Sequence, residues 1–211
     1  VDYSNEFCPH GISVCLVDYR GYGYSDGKYG TSGVTERDDM IAVVKYLQKN
    51  GFKKISYFGR SLGATCGLFV AAEFPELVCI ALDSPWLSIR EWTEFKAKQF
   101  ENIDHAEFEN LIPQVYQLIE KKTGLKFSEV IEPRDVSGKI TQPFFLIHGT
   151  EDKLVPCSNS EELIDLVQST EKIFKKFKGG HNDFGRYIHY EEMFKFILNQ
   201  NGANSDTNED E

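Results

Sequence analysis

The sequence predicts an α/β fold: a mostly parallel sheet flanked by helices. Two observations predict it. Five short runs, Ile12–Val17, Ile55–Phe58, Leu77–Leu82, Phe144–Ile147 and Ile173–Phe177, have strand length and are mainly apolar, the pattern of strands buried in a sheet. Helix-like stretches alternate with them, which favours parallel strands joined by helical crossovers. At 211 residues with 41% hydrophobic content, the chain suits one domain with a sizeable core.

The elements follow in order. Val1–Gly11 reads as the end of a helix and a turn, and Ile12–Val17 as a buried parallel strand. Gly21–Gly33, rich in Gly, Tyr and Ser, is a loop. Thr35, with Asp38 three residues on, suits the start of a helix that runs to about Asn50. Its residues Ile41, Val44, Tyr46 and Leu47 are placed to face the sheet, and Gly51 is a C-terminal stop. Ile55–Phe58 is a strand that leads through Gly59–Thr65 into a helix, Leu62–Phe74; Leu77–Leu82 is the next strand. Ser84–Lys139 is charged and aromatic, with helical stretches near Ile89–Glu101 and Glu107–Lys122. It is too long for an ordinary connection and reads as a cap at about 84–139. Trp86, Trp92, Phe95 and Phe100 either pack this cap onto the body, the plainer reading, or line an acyl or aromatic pocket. The strand Phe144–Ile147, a helix near Ser160–Val167, the strand Ile173–Phe177 and a helix over Tyr187–Leu198 complete a domain of 1–198. Residues 199–211 are rich in Asn, Asp and Glu, lack a hydrophobic pattern and read as a disordered acidic tail.

The most informative residues are Gly59-Arg60-Ser61-Leu62-Gly63. A strand, Gly-x-Ser-x-Gly and a helix are the context of a nucleophile elbow, a sharp turn that lifts the serine hydroxyl clear of the sheet. Gly59 and Gly63 are expected to omit side chains where strand and helix backbones crowd together, and the Leu62 amide to face the oxygen of an attacked carbonyl. A serine needs a base, and the base needs an orienting carboxylate. Of the five histidines, His10, His105, His148, His181 and His189, only His181 follows a strand and two glycines, as Gly179-Gly180-His181-Asn182-Asp183. Asp152 lies in the loop beyond the buried-type strand that ends at Gly149. It is preferred to its neighbour Glu151 because it precedes Lys153-Leu154-Val155-Pro156, the entry to the next helix. A surface-loop histidine and an Asx turn are the plainer explanations of each residue alone. Together Ser61, Asp152 and His181 each follow a separate strand, in the chain order Ser, Asp, His.

These residues resemble the α/β-hydrolase superfamily, over roughly residues 10 to 198. Val17-Asp18-Tyr19-Arg20-Gly21-Tyr22-Gly23-Tyr24-Ser25-Asp26-Gly27 resembles the loop after its fourth strand, Gly59–Ala64 the elbow and Leu82-Asp83-Ser84-Pro85-Trp86 the loop after the sixth strand. His148–Asp152 resembles the acid loop and Gly180-His181-Asn182 the histidine loop. The nearest likeness is to serine aminopeptidase (S33)-like hydrolases, with Bem46-like and depalmitoylase-like neighbours. The resemblance implies an α/β-hydrolase fold with a helical cap after strand six. It also implies three strands before Ile12, the third lying between Ile12–Val17 and Ile55–Phe58 and ending in a loop that supplies a second oxyanion amide. The expectation is therefore an N-terminally truncated chain with one oxyanion donor, Leu62, of the usual two.

Composition excludes other classes. A net charge of −10 argues against a nucleic-acid surface. No apolar run approaches the roughly 18 residues that span a bilayer. The glycines at 21, 23 and 27 do not form Gly-x-Gly-x-x-Gly, and residues 55–63 lack a P-loop lysine. Cys8, Cys15, Cys66, Cys79 and Cys157 have no metal-type spacing; Cys15, Cys66 and Cys79 read as small core residues of a reduced, cytosolic protein. No metal or organic cofactor is implied. The expected activity is hydrolysis of an ester or thioester, less readily an amide, on a small-molecule or lipid-like acyl substrate through an acyl-enzyme on Ser61. The alternatives are a depalmitoylase-like thioesterase, an S33-like aminopeptidase and, from another class, a catalytically dead hydrolase fold used for binding. An aminopeptidase needs a carboxylate for the substrate amine; Glu91, Glu94 and Glu101 of the cap are as easily solvent-facing.

Overall fold

The structure is a computed structural model that describes residues 3–98, 105–183 and 186–203. Four strands, β1 (Tyr57–Arg60), β2 (Ile80–Asp83), β3 (Phe144–Gly149) and β4 (Lys172–Phe177), form one parallel sheet in sequence order. The register aligns Tyr57 with Ile80, Ile80 with Phe144 and Phe144 with Lys172, so all four carboxyl ends face the same rim. In open parallel sheets that rim is where ligands bind.

Alternation along the strands builds two apolar layers. Ile80, Leu82, Phe144 and Leu146 face one side, where they meet Val44 of α2 (Glu36–Lys49), Leu68 of α3 (Leu62–Glu73) and Leu163 of α7 (Ser158–Leu166). Cys79, Ala81, Phe145 and Ile147 face the other, against Phe7 of α1 (Tyr3–Phe7) and Tyr190, Met193 and Phe194 of α8 (Arg186–Gln200). The central strands β2 and β3 are buried on both faces because each face is covered by helices.

Between β2 and β3 the chain makes the expected helical insertion: α4 (Ile89–Ala97), α5 (His105–Thr123) and the short α6 (Pro133–Ser137). Its base is tied down by charge. Glu132 accepts the Ile89 amide at 2.6 Å and Ser88 Oγ the Glu91 amide at 3.1 Å, so two side chains serve the N-terminus of α4. The Arg134 guanidinium forks between Glu91 at 2.8 Å and Glu162 of α7 at 2.5 Å. Trp86 stacks on Trp92 with ring centres 5.0 Å apart, in a cluster with Val34, Ile89 and Val155. These tryptophans therefore pack the insertion onto the body; Phe100 and Glu101 lie outside the described residues.

Several expectations need correction. Ile12–Val17 forms no ladder among the described residues, and Leu16 is 70% exposed. β1 pairs with β2 on one edge only. Between its other edge and the 12–17 segment lies a cavity of about 450 Å³, lined by Val14, Val43, Leu47, Tyr57 and Phe58 among others. An apolar run becomes a strand only when a neighbour takes its amides and carbonyls, and Ile12–Val17 has none there. For the same reason Cys15 is exposed, whereas Cys66 and Cys79 are buried as expected, and burial pushes the Cys79 thiol up to about 11. Tyr46 points outward at 65% exposure, leaving Val44 as the buried anchor of α2. Thr35 does not cap α2: its hydroxyl pairs with Thr31 Oγ1 at 2.7 Å, while the buried Glu36 carboxylate takes the Thr31 and Gly33 amides at 2.6 and 3.0 Å. The last helix runs on to Gln200, and Asn201 donates to Ser56 Oγ at 2.8 Å, so the closing element extends past 198; residues 204–211 of the expected tail lie outside the described ones. No helix among the described residues is long and apolar enough to cross a membrane.

One close approach gives a stability prediction. A Cβ at Gly67 would sit 2.5 Å from the Tyr57 ring and 2.9 Å from Leu82. The Tyr57 ring cannot swing away freely, because it is buried and its hydroxyl donates to Gly63 O at 2.7 Å. Gly67→Ala gains about 1 kcal/mol of helix propensity but overpacks a helix–sheet contact at a cost of about 1–3 kcal/mol. Urea unfolding should show a net loss; a stabilised variant would mean that the sheet yields here.

Candidate active site

The rim brings the three candidate residues together. Ser61 follows β1 directly and opens α3, with φ 53° and ψ −117°. Such a left-handed conformation costs a non-glycine residue about 1–3 kcal/mol and persists only where its surroundings impose it. Here the Ser61 amide donates to Asp83 O at 2.8 Å, and its carbonyl accepts the Thr65 amide at 2.9 Å. The turn is tight because strand and helix touch: a Cβ at Gly59 would lie 2.4 Å from Gly63 O. Gly63 itself is less constrained than expected, since its Cβ would meet only Tyr19 Oη at 3.5 Å, an ordinary contact. It is the Gly63 carbonyl that needs the room. Leu62 is the first residue of α3, so its amide has no acceptor within the helix.

Asp152 comes from the loop after β3. Its Oδ1 accepts the amides of Leu154 and Val155, both at 2.8 Å, which is the local Asx-type turn. Its Oδ2 accepts from His181 Nδ1 at 2.6 Å. His181 comes from the loop after β4, and its Nε2 stands 3.0 Å from Ser61 Oγ. A carboxylate only accepts, so Nδ1 carries the imidazole proton and Nε2 presents a lone pair to the serine hydroxyl. Both Asp152 and His181 are buried. Burial by itself raises the Asp152 carboxyl; hydrogen bonds from His148, His181 and the Val155 amide outweigh it and hold the group far below the usual carboxylate range.

Two contributors were not visible in the sequence. His148, inside β3, is fully buried, with Nε2 2.9 Å from Val155 O and 3.4 Å from Asp152 Oδ2, and Nδ1 2.7 Å from Ser160 Oγ. The Val155 carbonyl can only accept, so Nε2 carries a proton and adds a donor beside Asp152. Arg60, between the elbow's first glycine and its serine, donates to His181 O at 2.5 Å and Asn182 Oδ1 at 2.7 Å. Local patterns single out loop histidines, whereas His148 lies in an apolar run. Gly149 was a further signal: a Cβ there would meet Gly179 O at 2.4 Å, so the acid and histidine loops pack backbone to backbone, joined by Glu151 N to Gly179 O at 2.9 Å. His189 lies in α8, with its ring 6.0 Å from that of Phe177, and His10 in a short 3-10 helix after α1. Among the described residues no group of three His, Cys, Asp or Glu side chains is placed to hold a metal ion.

The sequence matches the prolyl oligopeptidase family over residues 4–202. It is 29% identical over 180 residues to the uncharacterised membrane protein YNL320W of Saccharomyces cerevisiae, covering 82% of this chain and 56% of that protein. It is 24% identical over 200 residues to the bem46 protein of Schizosaccharomyces pombe, covering 92% of this chain and 60% of the relative. Among solved structures, the Pyrococcus furiosus esterase Pf2001 superposes with a TM-score of 0.64 at 26% identity, over 87% of this chain and 67% of the esterase. The chain spans 45% to 67% of the length of such curated relatives. With its parallel sheet, its helical insertion and these relatives, the chain belongs to the prolyl oligopeptidase family, within the α/β-hydrolase fold.

Proposed function

We propose that this chain carries the catalytic centre of a serine hydrolase that cleaves ester or thioester bonds through an acyl-enzyme. One observation supports the reading above all others: His181 bridges Asp152 and Ser61 at 2.6 and 3.0 Å, in the tautomer that a general base requires. Ser61 Oγ attacks the acyl carbonyl while His181 Nε2 takes its proton. The Leu62 amide, at the positive end of α3, stabilises the oxyanion. The tetrahedral intermediate collapses, His181 returns the proton to the leaving alkoxide or thiolate, and the acyl group stays on Ser61. Water then attacks the acyl-enzyme with His181 as base and releases the carboxylic acid. Asp152 fixes the imidazole tautomer and stabilises its charged form. An ester substrate is favoured because the 26%-identical Pf2001 is named an esterase, and the retention of all three polar residues in contact argues against a purely binding role.

A fluorophosphonate probe followed by intact-mass measurement tests the assignment. One adduct is expected on the wild-type chain and none on Ser61→Ala; an adduct that survives the substitution sinks it. Asp152→Asn should lower the labelling rate by roughly 10³–10⁴, because the tautomer is no longer fixed.

Asp152 also sets a pH dependence of stability. Its folded pKa lies below its unfolded value of about 3.9, so its contribution is complete above the unfolded pKa and is lost as pH falls toward the depressed folded value. The stability gap between wild type and Asp152→Asn in urea unfolding should be full at pH 6 and shrink steadily below pH 4. A gap that does not change with pH would mean that the carboxylate is not held ionised by its partners.

A further inference from the structure

The geometry points to Arg60 as a positioning residue: its guanidinium, anchored on buried Asp83, holds the histidine loop so that His181 meets Ser61. The inference rests on the triad reading above. Arg60 ends β1, and its own carbonyl precedes the nucleophile. Its Nη2 donates to the carbonyl of His181 at 2.5 Å and to Asn182 Oδ1 at 2.7 Å; its Nε makes no hydrogen bond among the described residues but forms an ion pair with Asp83 Oδ2 at 3.4 Å. Asp83 is completely buried at the end of β2. Tyr190 Oη donates to its Oδ2 and Ser84 Oγ to its Oδ1, each at 2.7 Å, while its main-chain carbonyl takes the Ser61 amide at 2.8 Å. One aspartate thus fixes the nucleophile through its backbone and the base through Arg60.

The chemistry favours this role over a plain ion pair. A guanidinium presents donors in a rigid plane and can serve a carboxylate on one side and two oxygens on the other; an ammonium is a single point. His181 sits in a loop that contains Gly179 and Gly180, with φ 156° at Gly179, where the backbone needs outside support. Glu151 N to Gly179 O at 2.9 Å ties the start of the loop, and Gly180 N to Asp183 Oδ2 at 2.7 Å ties across its turn. Arg60 holds its middle, at the histidine itself. A displacement of about 1 Å between base and nucleophile can cost on the order of 10²-fold in rate.

The test is a double-mutant comparison with the fluorophosphonate probe on this chain. Arg60→Gln should slow labelling of Ser61 by about 10²-fold. Arg60→Lys retains a charge opposite Asp83 and so keeps the fold if Arg60→Gln does not; it should slow labelling by about 10-fold, since one ammonium cannot span both sides. In a His181→Ala background each substitution should change the residual rate by less than about 2-fold, because Arg60 acts only through His181. Hydrogen exchange of residues 178–183 should quicken in both Arg60 variants. Equal losses with and without His181, or no loss with either variant, would overturn the inference. If wild-type Ser61 never labels, the triad reading falls; loop exchange that is unchanged in the variants removes the positioning role separately.

Discussion

The site depends on one constraint above all, the contact between the backbones of Gly59 and Gly63. It lets β1 pass into α3 within one residue and forces Ser61 into φ 53°. The strain of about 1–3 kcal/mol in that residue is offset where the turn is locked: Asp83 O holds the Ser61 amide, and Tyr57 Oη holds Gly63 O. Each lock belongs to the packed sheet. Tyr57 is buried in the layer under α3, and Asp83 ends the neighbouring strand in register with Arg60. The serine's position therefore depends on the cohesion of β1, β2 and α3 together, and not on the loop alone.

The same rim brings the other two residues to the serine. β3 and β4 run in parallel to Gly149 and Phe177, which are partners in register. Loops that leave adjacent parallel strands at the same level start side by side, and Gly149 lets them pack without a side chain between them. Asp152 and His181 are thus neighbours by topology, although 29 residues apart in sequence.

Four of the five strands, and the meeting of Ser61, Asp152 and His181 at one rim, were legible in the sequence for a physical reason. Apolar runs of strand length, glycine pairs and lone polar residues after a strand are local signals. Most failures were non-local. Ile12–Val17 has the composition of a buried strand, yet a ladder depends on a neighbour that composition cannot supply. Cys15 followed it into the same error. Thr35 has the chemistry of a cap, but Glu36 beside it is buried and takes the loop amides instead. His148 lies inside an apolar strand; its partners Asp152 and Val155 reach it only when the loop after β3 folds back, and Ser160 only once α7 has packed.

The polar groups at the site form a closed set, and this explains why charge can be kept under the surface there. Asp152 has two oxygens, and four donors face them: the Leu154 and Val155 amides on Oδ1, and His181 Nδ1 and His148 Nε2 on Oδ2. Protonation would place an O–H against a donor, so the ionised form is the one that fits. Asp83 accepts from Ser84 and Tyr190, and the Arg60 guanidinium lies beside it at 3.4 Å. A buried charge with partners on every lone pair is tolerable, whereas one left without a single partner costs several kcal/mol. Asp152, with donors from β3, its own loop and the histidine loop, therefore couples the geometry of the rim. Loosening one donor exposes a charge, and the native arrangement is the state in which none is exposed.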